Sequence, residues 1–106
     1  MARFIRIGST SDLPRDGEAR EFAVGGRVLC VANIDSKFAA IDNVCAHHGG
    51  PLGQGVVAAG HVICPWHGWE YDPQTGASTH DPQMKVDVYA LKIEGDDVLV
   101  DMGDQA

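Results

Sequence analysis

Cys45-Ala46-His47-His48-Gly49-Gly50-Pro51 and Cys64-Pro65-Trp66-His67-Gly68-Trp69-Glu70-Tyr71-Asp72 are the two stretches whose reading decides this chain. Each offers one thiol and one imidazole, Cys45 with His47 and Cys64 with His67, and sixteen residues separate His47 from Cys64. Both pairs sit among Gly and Pro, which mark loops rather than regular elements. Four ligands divided evenly between sulfur and nitrogen, on two loops of similar build, suit a metal centre with two unlike ends. A structural zinc also accepts a Cys₂His₂ set, with four tetrahedral ligands and no redox chemistry. Zinc modules of that composition, however, pair like with like on a hairpin and a helix. Here the pairs are mixed, the Cys-x-His bite is short, and neither pair lies in a helical pattern. A metal-free scaffold would leave two thiols and two imidazoles without a task.

Iron–sulfur clusters normally take four cysteines, and in the Rieske [2Fe–2S] centre two histidines replace two of them on one iron. Cys-x-His, sixteen residues, then Cys-x-x-His resembles the motif of that family, and the words around both pairs agree with it. The resemblance is specific over residues 45–72 and looser over most of the chain. It implies a [2Fe–2S] cluster bound by Cys45, His47, Cys64 and His67, the cysteines on the inner iron and the histidines on the outer one. Tyr71 stands four residues past His67, where Rieske proteins often place a Tyr whose hydroxyl bonds a ligand sulfur; a core aromatic is the competing reading. Asp81-Pro82-Gln83 is in the right place for the family's proline-containing third loop, or is an ordinary turn. The respiratory and photosynthetic branch carries an extra Cys in each loop, joined as a disulfide, and a Ser bonded to the cluster. The corresponding positions here are Gly50, Trp66 and Trp69, which argues against a quinol-oxidising subunit. The two Trp read as apolar shielding. Gly49, Gly50 and Gly68 read as places where backbone N–H groups approach sulfide closely.

The rest of the chain reads as strands and turns. Phe4–Gly8 alternates and ends at a polar run with Pro14; Glu21–Val24 and Arg27–Ile34 flank Gly25-Gly26 as a hairpin. Asp35-Ser36-Lys37 turns into Phe38–Asp42; Gly55–Val57 and His61–Ile63 pair across Ala58-Ala59-Gly60. Trp69–Asp72 leads to a turn at Pro73–Gly76, Val86–Ile93 alternates as one strand, and Gly95–Asp97 turns it into Val98–Val100. Short strands with close-spaced turns and no helical period define an all-β fold, an antiparallel sandwich or barrel. A single domain of 106 residues is expected. Its basal sheets fall in 1–42 and 84–106, and a cluster-binding subdomain is inserted at 43–83.

Net charge is −7, with 15 acidic against 8 basic residues. Such a surface repels nucleic acid and anionic lipid and suits protein partners with a basic patch. No signal peptide is visible at Met1–Gly8 and no eighteen-residue apolar run occurs. Three Cys leave one spare, Cys30, read as a buried strand residue. With no second spare thiol to pair it, a reducing cytoplasm is the expected home. His48 reads as part of the exposed tip, His61 and His80 as solvated turn residues, and Asp72, Asp81, Asp87, Asp96, Asp97 and Asp101 as acidic surface. The expected function is that of a monomeric, low-potential ferredoxin. It passes single electrons from a NAD(P)H-linked reductase to a terminal oxygenase and is itself no enzyme. The loop wording also resembles the Rieske-like small subunit of a nitrite reductase, and a zinc-stabilised interaction module is the alternative from another class. A complete terminal oxygenase needs a second iron domain, for which the span from Met1 to the segment after Val100 leaves no room.

Overall fold

The computed structural model describes residues 3–45, 49–66, 68–81 and 83–102. Among them the regular structure is ten strands and two short 3₁₀ turns, at Thr10–Asp12 and Leu52–Gln54. The strands are β1 (Phe4–Ser9), β2 (Ala19–Val24), β3 (Arg27–Ile34), β4 (Lys37–Asp42), β5 (Val56–Ala58), β6 (His61–Ile63), β7 (Glu70–Tyr71), β8 (Val88–Tyr89), β9 (Leu91–Glu94) and β10 (Asp97–Asp101). They form three sheets, β1-β10-β9, β2-β3-β4-β8 and β5-β6-β7, and every strand pair is antiparallel.

Strand β3 explains how the sheets stack. Leu29, Cys30, Val31 and Ala32 are all fully buried, although neighbours on a strand point to opposite faces. Both faces of the central sheet are therefore covered, which is what a continuous apolar run requires. On one side Phe22, Leu29, Val31, Ala40 and Tyr89 pack with Val100 and Met102, with Ile5, Ile7 and Leu91 at the margin. On the other, Cys30, Ala32 and Ile41 pack against Leu52, Val62, Tyr71, Val86, Cys45 and Cys64. The second core carries the two cysteines of the motif. Their loops thus rest on the rigid back of the central sheet.

Turn chemistry sets the registers. Gly25 and Gly26 have φ of +52° and +84° and join β2 to β3 in two residues, the left-handed pair that matches strand twist in a hairpin. Asp35 and Ser36 adopt the same conformation between β3 and β4, at +53° and +68°. The side-chain oxygen of Asp16 accepts the Asp35 N–H at 2.8 Å, and that of Asn33 accepts the Ser36 N–H at 2.9 Å, which holds this non-glycine turn in place.

One stretch departs from the sequence reading. Val86–Ile93 is not one strand: Val88–Tyr89 pairs with β4 in the central sheet, while Leu91–Glu94 pairs with β10 in another. The chain changes sheet at Ala90, whose carbonyl accepts the Asp101 N–H at 2.9 Å. The sequence alternation of Val86, Val88 and Ala90 against Asp87 and Tyr89 does not follow burial: Val86 is buried in the cysteine-bearing core, Val88 and Ala90 are exposed, and Tyr89 with Leu91 faces the other core. Periodicity alone therefore could not reveal the break.

Candidate metal centre

The two motif loops are built to one plan. The Cys45 N–H donates to the Gly50 carbonyl at 2.9 Å, and the Gly49 N–H donates back to the Cys45 carbonyl at 2.8 Å. In the second loop the Cys64 N–H donates to the Trp69 carbonyl at 2.8 Å, and the Gly68 N–H to the Cys64 carbonyl at 3.1 Å. Each Cys therefore closes a six-residue loop whose fifth residue is a left-handed Gly, Gly49 at +77° and Gly68 at +73°. An L side chain at either position would bring its Cβ too close to the following carbonyl. That is the local reason Gly stands two residues after His47 in one motif and one residue after His67 in the other.

Each loop is anchored at its stem. Val44 bridges Pro51 across the first loop, and below it Asn43 is buried. The Asn43 amide donates to Glu21 Oε2 at 2.6 Å, and its side-chain oxygen accepts the Gly53 N–H at 2.6 Å. Its carbonyl also accepts the Leu52 N–H at 2.7 Å. Glu21, an acid on β2, holds the Gln54 amide too, at 3.2 Å. The second loop needs no such clamp, because it connects β6 and β7, which pair directly at Ile63–Glu70 and Val62–Tyr71.

Both cysteine side chains are buried, Cys45 at 3% exposure and Cys64 at 2%. The fully buried Tyr71 has its hydroxyl 3.0 Å from Cys45 Sγ. Once Cys45 is a thiolate, only the phenol has a proton to donate. The expected Tyr–sulfur bond is thus present, and Tyr71 is a core residue as well. The two loops also touch: a Cβ on Gly50 would stand 2.7 Å from Cys64 Sγ and 3.1 Å from two ring atoms of Trp66. Gly50 and Trp66 are therefore neighbours across the two loops.

Cys30 lies in the same core cluster, but burial pushes its thiol up to about 12, with Glu21 adding to the shift. It stays protonated at neutral pH, as an apolar strand residue would. Trp66 differs from its expected shielding role, being 58% exposed, whereas Trp69 is half-buried and packs on the cysteine-bearing core. His80, read as merely solvated, stacks on Trp69 with ring centroids 5.2 Å apart and planes at 26°. His61 is a partly covered strand residue, its Nδ1 3.7 Å from Glu70 Oε1. The expectations for His47, His48, His67 and Pro82 fall outside the described residues. Sequence reasoning also missed Asn43 and Glu21; an Asn one residue past a strand and just before the motif is a capping signal too common to stand out.

Residues 3–93 match the profile of the Rieske [2Fe-2S] domain, and the chain belongs to that family. A domain of this family indicates a [2Fe–2S] cluster, and the chain's own residues fit one: two buried cysteines, on paired loops, meet at the edge of one apolar core with a phenol aimed at sulfur. The chain is 32% identical over 98 residues to the ferredoxin component of biphenyl 2,3-dioxygenase from Rhodococcus jostii, covering 92% of this chain and 91% of that protein. It is 37% identical over 93 residues to human apoptosis-inducing factor 3, covering 86% of this chain but spanning only 15% of that much longer protein. The structure of the Sphingomonas yanoikuyae B1 ferredoxin superposes with a TM-score of 0.83 at 28% identity, over 95% of this chain and 100% of that one. No helix among the described residues is long and apolar enough to cross a membrane.

Proposed function

We propose that the Cys45 and Cys64 thiolates and the His47 and His67 imidazoles hold the [2Fe–2S] cluster, and that the chain carries single electrons from a NAD(P)H-linked reductase to a terminal oxygenase. The observation that supports this most directly is the matched pair of loops, each presenting a buried cysteine to one core. The similarity to the Rhodococcus biphenyl dioxygenase ferredoxin component, nearly end to end, supports the oxygenase system as the setting. Residues 43–83 are then the cluster-bearing unit, set on a base of 1–42 and 84–106. The chain is a carrier component rather than an enzyme, working as a monomer in the reducing cytoplasm.

When bound, the cluster supplies a one-electron couple; the chain's residues set its potential and its exits. Neutral imidazoles bring no negative charge, so replacing two thiolates with them makes an added electron easier to accept. The Tyr71 hydroxyl donates to Cys45 Sγ and favours the more negative, reduced state. Leu52, Val62 and Val86 exclude water from the inner side. On the outer side Val44 and Trp66 are 57% and 58% exposed, an apolar rim on which a partner can close. The −7 charge draws a basic partner to the molecule over a screening length of about 10 Å at 0.1 M salt.

By its resemblance, the chain has Trp69 where the respiratory branch has a Ser donor, so one donor fewer stabilises the reduced state. The expected midpoint lies in the low part of the Rieske range, between about −150 and 0 mV at pH 7. Protein-film voltammetry measures it. A midpoint above roughly +200 mV would reject the role of a carrier fed by NAD(P)H.

A further inference from the structure

The Trp69–His80 stack joins the second motif loop to a residue outside it, and nothing in the ligand set requires it. Trp69 is tied to the site twice: its carbonyl accepts the Cys64 N–H at 2.8 Å, and its side chain packs on the core that holds Cys45, Cys64 and Tyr71. His80 covers the indole from outside. Its segment is held in position rather than loosely draped. The Thr79 N–H donates to the Glu70 carbonyl at 2.9 Å, directly beside Trp69. Ser78 Oγ accepts the His80 N–H at 3.1 Å. The Ser78 N–H reaches the Met84 carbonyl at 3.0 Å, and the Met84 N–H reaches the Asp81 carbonyl at 2.9 Å, closing the loop on itself. Asp81 Oδ1 accepts the Gln83 N–H at 3.0 Å. An otherwise exposed imidazole is thus delivered onto one particular ring by a hydrogen-bonded loop.

We propose that His80 is a positioning residue for the cluster: by stacking on Trp69 it latches the segment 78–81 onto the second ligand loop, and so keeps water from the Cys64 side of the centre. This rests on the ligand reading given above. Two consequences follow. Solvent exposure is one of the terms that sets the potential of an iron–sulfur centre, and water favours the reduced, more negative state. Unlatching should therefore raise the midpoint. It should also let the loop open more often. A stacked ring pair contributes enough to change an opening equilibrium by roughly three- to tenfold, and loss of cluster in air should accelerate by about the same factor.

The test compares the cluster-loaded wild type with His80→Ala, His80→Gln and His80→Phe. Film voltammetry reads the midpoint, and the decay of visible absorption under air reads the opening. The Ala and Gln variants should both bleach about three- to tenfold faster with a raised midpoint. His80→Phe, which keeps a flat ring, should return both readings toward wild type. A purely local packing role would leave the potential in place. Loaded Ala and Gln variants indistinguishable from wild type would overturn the latch, as would a Phe variant no better than Ala. A wild type that takes up no iron–sulfur cluster would instead undo the ligand reading.

Discussion

Substituting Gly50 with alanine asks whether the two ligand loops meet as closely as the structure has them. The added Cβ would stand 2.7 Å from Cys64 Sγ and 3.1 Å from Trp66 Cγ and Cδ2. Carbon atoms in ordinary contact sit about 3.5–4.0 Å apart, so the sulfur or the first loop must shift by about 1 Å. Gly50 does not occupy the left-handed region, and backbone strain plays no part in the cost. Overpacking of this kind destabilises by about 1–3 kcal/mol, which lowers the melting temperature of a domain this size by about 4–8 °C per kcal/mol. The larger effect falls on the cluster, because the displaced atom is itself a ligand. Gly50→Ala should retain less than about half of the wild-type iron and acid-labile sulfide. Gly68→Ala is the matched control. Its Cβ meets none of the described residues within 4 Å but its φ is +73°, so it should lose about 1–2 kcal/mol of stability while still loading cluster. Metal and sulfide content with thermal unfolding of both variants decide the matter. A Gly50→Ala protein with full cluster and an unchanged melting temperature would show that the loops do not touch at this point.

Tyr71→Phe removes one hydroxyl and leaves the buried ring. The cluster should remain and the midpoint should fall, by about 43 mV for each kcal/mol by which the bond favours the reduced state; an unchanged midpoint would mean that the 3.0 Å contact to Cys45 carries no electrostatic weight. His47→Ala and His67→Ala should lose the visible absorption, because imidazole ligands must be present and deprotonated, whereas His48→Ala should keep it. Bleaching on loss of His48 alone would move the ligand set.

Much of this architecture is legible in the sequence because local chemistry and global fold agree there. Gly25-Gly26 dictates a hairpin, the unbroken Val28–Ala32 run is consistent with the doubly covered β3, and the loop motifs name the family. Tyr71 was readable as both a core ring and a sulfur donor, and it is both. The failures have a common cause: they concern contacts set by three-dimensional neighbours rather than by period or spacing. Val86–Ile93 alternates in sequence, yet the chain changes sheets at Ala90 and buries Val86 and Tyr89 in different cores. Trp66 is as apolar as Trp69, yet it lies beside Gly50 with more than half of its surface in water. His80 reads as an ordinary turn histidine until the Thr79–Glu70 hydrogen bond brings it against Trp69. Nor can spacing show that Glu21, on a strand begun more than twenty residues earlier, holds Asn43 beneath the first loop.

The measurement that bears most directly on the whole account is the metal and sulfide content of the purified protein, taken together with its visible spectrum. The account predicts about two iron and two acid-labile sulfide per chain and a coloured protein, with the colour lost in Cys45→Ser and in Cys64→Ala. Equimolar zinc in a colourless protein without labile sulfide would contradict it.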